Sequence, residues 1–170
     1  MATRTMSGPR PLAPGAGPSA RTGRFGGPAK RSGSRLRGTN EPDMRAYIDS
    51  DILIRHLRGE SKAANLLRRL AADRANELWI GALQRAEVVF FMRPSEGATT
   101  RTFLSRFKTE AVTQDVVDAG AEYYRQWHPS HGIDVNDAIL AATAAATGGK
   151  IYTLNVRHYP MSDVPVSKGW

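Results

Sequence analysis

The chain has no cysteine, which excludes a disulfide framework, a thiolate metal site and a cysteine nucleophile. It also lacks any apolar run near the roughly 18 residues that a membrane-spanning helix requires. Its first residues are charged but carry no apolar segment of the kind that marks a secretory signal. These features are compatible with a reducing, cytoplasmic setting. Acidic residues are missing from positions 1–40, where eight Lys and Arg occur. The other residues hold 16 basic and 16 acidic side chains, so the formal charge of +8 belongs to this first segment. A nucleic-acid argument from net charge therefore concerns only that segment.

Residues 1–40 also contain eight Gly and five Pro, with few sizeable apolar side chains. Such composition cannot bury enough apolar surface to offset the entropy of ordering it, so a disordered basic tail over 1–43 is expected. Gly26-Gly27 follows no strand, and Gly148-Gly149-Lys150 lacks the flanking residues of a phosphate-binding loop. A basic tail without acids could touch RNA phosphates or an acidic partner, or act as a transit peptide. Its Gly and Pro content disfavours the amphipathic helix that a transit peptide uses, and a solvated tail without a dedicated role is the simplest account. Met44, just before the first apolar run, is an alternative translation start. One domain over 44–170 suits the remaining length.

From Arg45 onward the pattern changes to short apolar runs alternating with helical periodicity. Ala46 to Ile48 reads as a strand, Ser50-Asp51 as the opening of a helix to Leu57, and Gly59 as its stop. Ser61 caps a second helix to about Ala75, with Ala64, Leu66, Leu67 and Leu70 as its buried stripe. A strand over Leu78 to Ala82 leads into a helix from Leu83 to Met92, ended by Arg93-Pro94. Further expectations are a helix over Thr99 to Phe107, a strand at Ala111 to Thr113 and a helix over Asp115 to Trp127. His128 and His131 then fall in a loop around Pro129. An Ala-rich helix from Val135 to Thr147, a strand over Lys150 to Leu154 and an edge strand at Val164 to Val166 complete the scheme. Such alternation predicts an α/β fold: three layers, with a mostly parallel sheet of about four or five strands between helices.

In such folds chemistry gathers beyond the carboxyl ends of the strands. Asp49 ends the first strand, Glu87 lies early in the helix after the second, and Asp137 opens the Ala-rich helix. Each acid alone has an ordinary account: Asp49 as a turn residue, Glu87 on a wet helix face, Asp137 as a first-turn acid beside Asp134. Asp51 is expected to cap or charge-stabilise the first helix. Together, three carboxylates at one sheet edge repel unless a cation or raised pKa values relieve them. Oxygen ligands without Cys or a helical His pair suit Mg²⁺ or Mn²⁺ better than zinc.

These residues resemble a family. Tyr47-Ile48-Asp49-Ser50-Asp51-Ile52-Leu53 is similar to the opening of PIN-domain ribonucleases, particularly the VapC-type toxins of bacterial toxin–antitoxin pairs. Ala86-Glu87-Val88 resembles their second acidic position. Asp134-Val135-Asn136-Asp137-Ala138-Ile139-Leu140-Ala141 resembles their acid followed by a small-residue helix, and Tyr152-Thr153-Leu154-Asn155 their Thr-containing strand end. The resemblance spans about residues 44–166. It implies a PIN-like fold and a Mg²⁺- or Mn²⁺-dependent endoribonuclease with Asp49, Glu87 and Asp137 as metal ligands and catalytic acids. Asn155 stands where many relatives have a fourth acid, and as an amide it adds no negative charge, which bears on whether one metal or two bind. Thr153 would hydrogen-bond a ligand carboxylate, and Arg157 would hold an RNA phosphate.

The resemblance further implies a cognate VapB-type antitoxin that blocks the groove, an RNA substrate and a homodimer. Leu53, Leu57, Leu66, Leu67, Val88, Val89, Phe90 and Phe91 offer more apolar surface than one stripe per helix needs. His131 or His158 could act as a general acid or phosphate contact, although solvation or core packing accounts more simply for each. Trp79 and Trp127 read as core residues and Trp170 as exposed. The alternatives to a ribonuclease are a non-catalytic PIN-like binding or scaffold protein with a decayed metal site, or another metal-dependent phosphotransferase.

Overall fold

The computed structural model describes residues 44–170, so the expected tail over 1–43 lies outside the described residues. Five parallel strands form one sheet in the order β3-β2-β1-β4-β5. They are β1 (Met44–Ile48), β2 (Asn76–Gly81), β3 (Lys108–Glu110), β4 (Lys150–Thr153) and β5 (Val166–Lys168). The helices are α1 (Ser50–Leu57), α2 (Ser61–Ala72), α3 (Ala82–Phe91), α4 (Gly97–Leu104), α5 (Gln114–His131) and α6 (Val135–Thr147). Strand order runs from β1 to β3 in one direction and to β4 and β5 in the other. The crevice beyond the carboxyl ends of β1 and β4 is therefore the topological switch point, where open α/β sheets place ligands.

Side-chain alternation on the central strands builds two cores. Ala46 and Ile48 of β1 and Tyr152 of β4 pack with Ile52, Leu53, Leu66, Leu67, Leu70, Val88 and Leu104 of α1 to α4. Tyr47 and Ile151 point to the other face, against Ile133, Leu140, Ala141 and Ala144. Each fully buried Leu or Ile contributes about 1.5–3 kcal/mol relative to its exposed state. The Ala-rich sequence of α6 lets that helix lie close to the sheet and to α5. Gly148 ends α6 in the left-handed region at φ 68°, and at Gly149 a Cβ would stand 2.4 Å from the Tyr47 ring.

Several sequence expectations shift. The α2 stripe uses Ala63 rather than Ala64, and Ser61 makes no side-chain cap, since Glu60 holds the N-cap position. β3 lies at Lys108–Glu110, three residues before the apolar triplet Ala111 to Thr113. Its pairing is polar, with Lys108 bonded to Glu77 and Glu110 to Arg45 at 2.6 Å. Edge strands are commonly charged in this way, which hides them from a search for apolar runs. β5 likewise begins at Val166, Val164 having turned into the core. Helix α5 continues through Pro129 to His131, because His128 stacks on Tyr124 and the Gly132 N–H closes the last turn on the His128 carbonyl. Trp170 is half-buried against the α1–α4 core rather than exposed. Among the described residues no helix is long and apolar enough to cross a membrane.

Candidate active site

Asp49 follows β1 directly. Its backbone N–H donates to the Tyr152 carbonyl at 3.0 Å, and its Oδ1 accepts the Ser50 N–H at 2.7 Å, capping α1. Asp137 occupies the third position of α6 in a reciprocal cap. Its N–H donates to Asp134 at 2.8 Å, and its Oδ2 accepts the Asp134 N–H at 3.3 Å. A short 3₁₀ turn, Val156–His158, follows β4 and delivers two side chains to these acids. The buried Tyr159 hydroxyl lies 2.9 Å from Asp49 Oδ2 and 3.2 Å from Asp137 Oδ1. His158 Nδ1 stands 2.8 Å from Asp137 Oδ2. A phenol has one proton to share between the two carboxylates that it touches.

The electrostatics follow from burial. Asp49 is 6% exposed; desolvation, with the charges of Asp51 and Asp137, pushes its pKa up to about 7. Desolvation and neighbouring Asp134 raise Asp137 as well, and desolvation raises Asp51. The Tyr159 phenol is pushed well above its ordinary range by burial and then by the two carboxylates. Among the described residues, His158 is the one side chain bonded to the pair that can carry positive charge. Asp51 Oδ1 and Gln84 Oε1 are buried oxygens without a partner. A concentration of buried oxygen donors, free of sulfur and short of cations, fits a hard divalent ion.

The remaining candidates are placed differently. Asp51 lies in the first turn of α1, but its Oδ2 accepts the Leu154 N–H at 2.9 Å, so it ties α1 to the end of β4 as well as facing the helix dipole. Fully buried Thr153 points its hydroxyl at Asp51 Oδ2, 3.4 Å away, and accepts the Asn155 N–H at 3.0 Å. Half-buried Glu87 makes no hydrogen bond or ion pair among the described residues. Its helix is nevertheless tied to the start of α6, where Gln84, one turn earlier, donates to the Asn136 carbonyl at 3.2 Å. Asn155 and Arg157 are exposed. Among the described residues, no three His, Asp or Glu side chains stand close enough to hold one ion. Asp49 and Asp137 are thus brought together, while Glu87 and Asn155 stay outside their contact.

Tyr159 carries no local signal of a site role in the sequence, and His158 reads there more simply as a solvated or core residue. Both follow a strand end, where neither helical nor strand periodicity says which way a side chain faces. Of the eight apolar residues noted on α1 to α3, Leu53, Leu66, Leu67 and Val88 are buried and Leu57 and Val89 partly so. Phe90 and Phe91 are 80% and 84% exposed.

Comparison with known proteins agrees with this architecture. The PIN domain family model matches residues 46–163. Ribonuclease VapC19 of Mycobacterium tuberculosis is 39% identical over 115 residues, covering 67% of this chain and 91% of the relative. Ribonuclease VapC10 of the same organism is 33% identical over 115 residues, covering 67% and 85%. Among solved structures, a toxin–antitoxin complex from Klebsiella pneumoniae superposes with a TM-score of 0.62 at 22% identity, over 74% of this chain and 98% of that one. VapBC2 from Rickettsia felis, bound to a DNA fragment from its promoter, gives 0.62 at 19% identity over 75% and 99%. With the acid-bearing strand end and the capped small-residue helix both within the matched span, the chain belongs to the PIN-domain family, alongside the VapC proteins.

Proposed function

We propose that this protein is a Mg²⁺- or Mn²⁺-dependent endoribonuclease and the toxin of a toxin–antitoxin pair. The observation that carries this reading is the convergence of two buried carboxylates, Asp49 from β1 and Asp137 from α6, on one hydroxyl at 2.9 and 3.2 Å. The relatives named as ribonucleases support the substrate class. Asp49 and Asp137 would hold the ion, with Glu87 from the neighbouring α3 completing the set and Asn155 contributing a neutral oxygen. The chemistry supplied by such an ion is charge neutralisation at the phosphodiester and acidification of water. The Asp49 pKa of about 7 belongs to the ion-free site, and the bound ion would hold this carboxylate ionised. Thr153 and Asp51 anchor the end of β4 to α1 and so keep Asp49 in register. Exposed Arg157 is available to an RNA phosphate.

The test is RNA cleavage by the purified full chain with and without Mg²⁺ or Mn²⁺. Cleavage that needs the ion and disappears in folded Asp49→Ala and Asp137→Ala supports the assignment; undiminished cleavage by both variants ends it. A second reading, a non-catalytic PIN-like scaffold, is favoured by Asn155 and by the separation of Glu87 from the carboxylate pair. Thermal denaturation with added ion distinguishes them, since a ligand bound only by the folded form raises the melting temperature.

The exposed Phe90 and Phe91 at the end of α3 support a partner-bound protein, through a homodimer contact or a VapB-type antitoxin. The solved neighbours include toxin–antitoxin complexes. The setting that fits this role is the cytoplasm.

A further inference from the structure

Two buried acids that repel each other need something to keep them together before any ion arrives. Backbone groups hold one oxygen of each: the Ser50 N–H on Asp49 and the Asp134 N–H on Asp137. Among the described residues, only the Tyr159 hydroxyl is bonded to both acids. Its ring sits in the core that also contains Ile133, Met161 and Val164, so the hydroxyl cannot swing away. The preceding residue, His158, reaches Asp137 Oδ2, the oxygen that also accepts the Asp134 N–H, while Tyr159 bonds Oδ1. The turn carrying both is closed on itself, with the His158 N–H on the Asn155 carbonyl and the Tyr159 N–H on the Val156 carbonyl, each at 3.0 Å. It hangs from β4, the strand paired with β1 in register Ile48 with Tyr152.

We propose that His158 and Tyr159 form a clamp of positioning residues that sets the spacing and orientation of Asp49 and Asp137 for a divalent ion. This rests on the metal-binding reading of those acids. The clamp does not supply the ion's charge balance. It restrains carboxylates that arrive from β1 and α6, using one short turn anchored to β4. In metalloproteins, groups that orient a ligand from behind influence ion affinity by about 10–100-fold.

Isothermal titration of the full chain with Mn²⁺ alone tests the clamp, with far-UV circular dichroism and ion-free melting confirming that each variant is folded. Wild type is expected to bind saturably and Asp49→Asn to lose binding. Tyr159→Phe and His158→Ala should each weaken binding by about tenfold or more. His158→Asn, whose amide N–H can occupy the place of Nδ1, should recover most of the His158→Ala loss; a merely structural role for His158 predicts no such recovery. If Tyr159→Phe does not fold, the His158 pair still decides the matter. Wild-type affinity in Tyr159→Phe and His158→Ala, with binding lost in Asp49→Asn, would overturn the clamp and leave the metal reading standing. Absence of saturable binding in wild type would overturn both.

Discussion

Asp49 and Asp137 differ from Glu87 and Asn155 in how they are held, although all four follow or neighbour the carboxyl ends of strands. The first two are buried, bonded through each of their carboxylate oxygens, and joined by Tyr159. The second two make no side-chain hydrogen bond among the described residues. One half of the candidate site is organised by the fold itself. The other half carries no such side-chain bonds among the described residues. The difference shows that a fold can prearrange repelling charges where caps and a bridging hydroxyl are supplied, and leave the rest adjustable.

The largest effect should come from the organised half. Asp49→Ala and Asp137→Ala are each expected to lower RNA cleavage by more than about 100-fold, beyond what loss of an orienting neighbour causes, as read by single-turnover assays on folded protein. Glu87→Gln should also lower cleavage, by about tenfold or more, yet leave the ion-free melting temperature unchanged. A marked drop in that temperature would show that Glu87 is held by the fold after all, and the division would dissolve.

Protonation sharpens the same comparison. The folded pKa of Asp49, about 7, lies above its ordinary value of 3.8. The folded state therefore keeps a proton that the unfolded chain has released. The stability from this group is fully present below about pH 4 and is lost as pH rises through 7. Ion-free protein should melt at a lower temperature at pH 8 than at pH 5.5. Asp49→Asn, lacking the charge, should shrink that difference, and added Mn²⁺ should offset the loss mainly at the high-pH end. An unchanged pH dependence in Asp49→Asn would assign the effect to another group. The smallest effect is expected at exposed Arg157. Its replacement by Ala should weaken RNA binding uniformly across sequences and reduce the slope of log affinity against log salt by about one.

Much of this was legible along the chain. Val135 to Thr147 matched α6 because an acid cap, small apolar residues and a closing glycine are local signals that agree with one another. The start of α1 was equally clear, although Asp49, not Asp51, accepts the capping hydrogen bond, from the Ser50 N–H. Edge strands β3 and β5 were displaced, since their residues are chosen for pairing and solvent contact rather than apolar content. Asp49 and Asp137 could be named as candidates from their places at element ends.

What the linear order could determine was therefore the alternation of strands and helices, their caps, and which acids fall at the sheet's carboxyl edge, because each depends on neighbours a few residues away. Only the tertiary structure decided which acids meet. Whether Tyr159 reaches both Asp49 and Asp137, and whether Glu87 joins them, depends on how a turn after β4 packs against β1 and α6. That packing is made by residues far apart in the chain, and no local period encodes it.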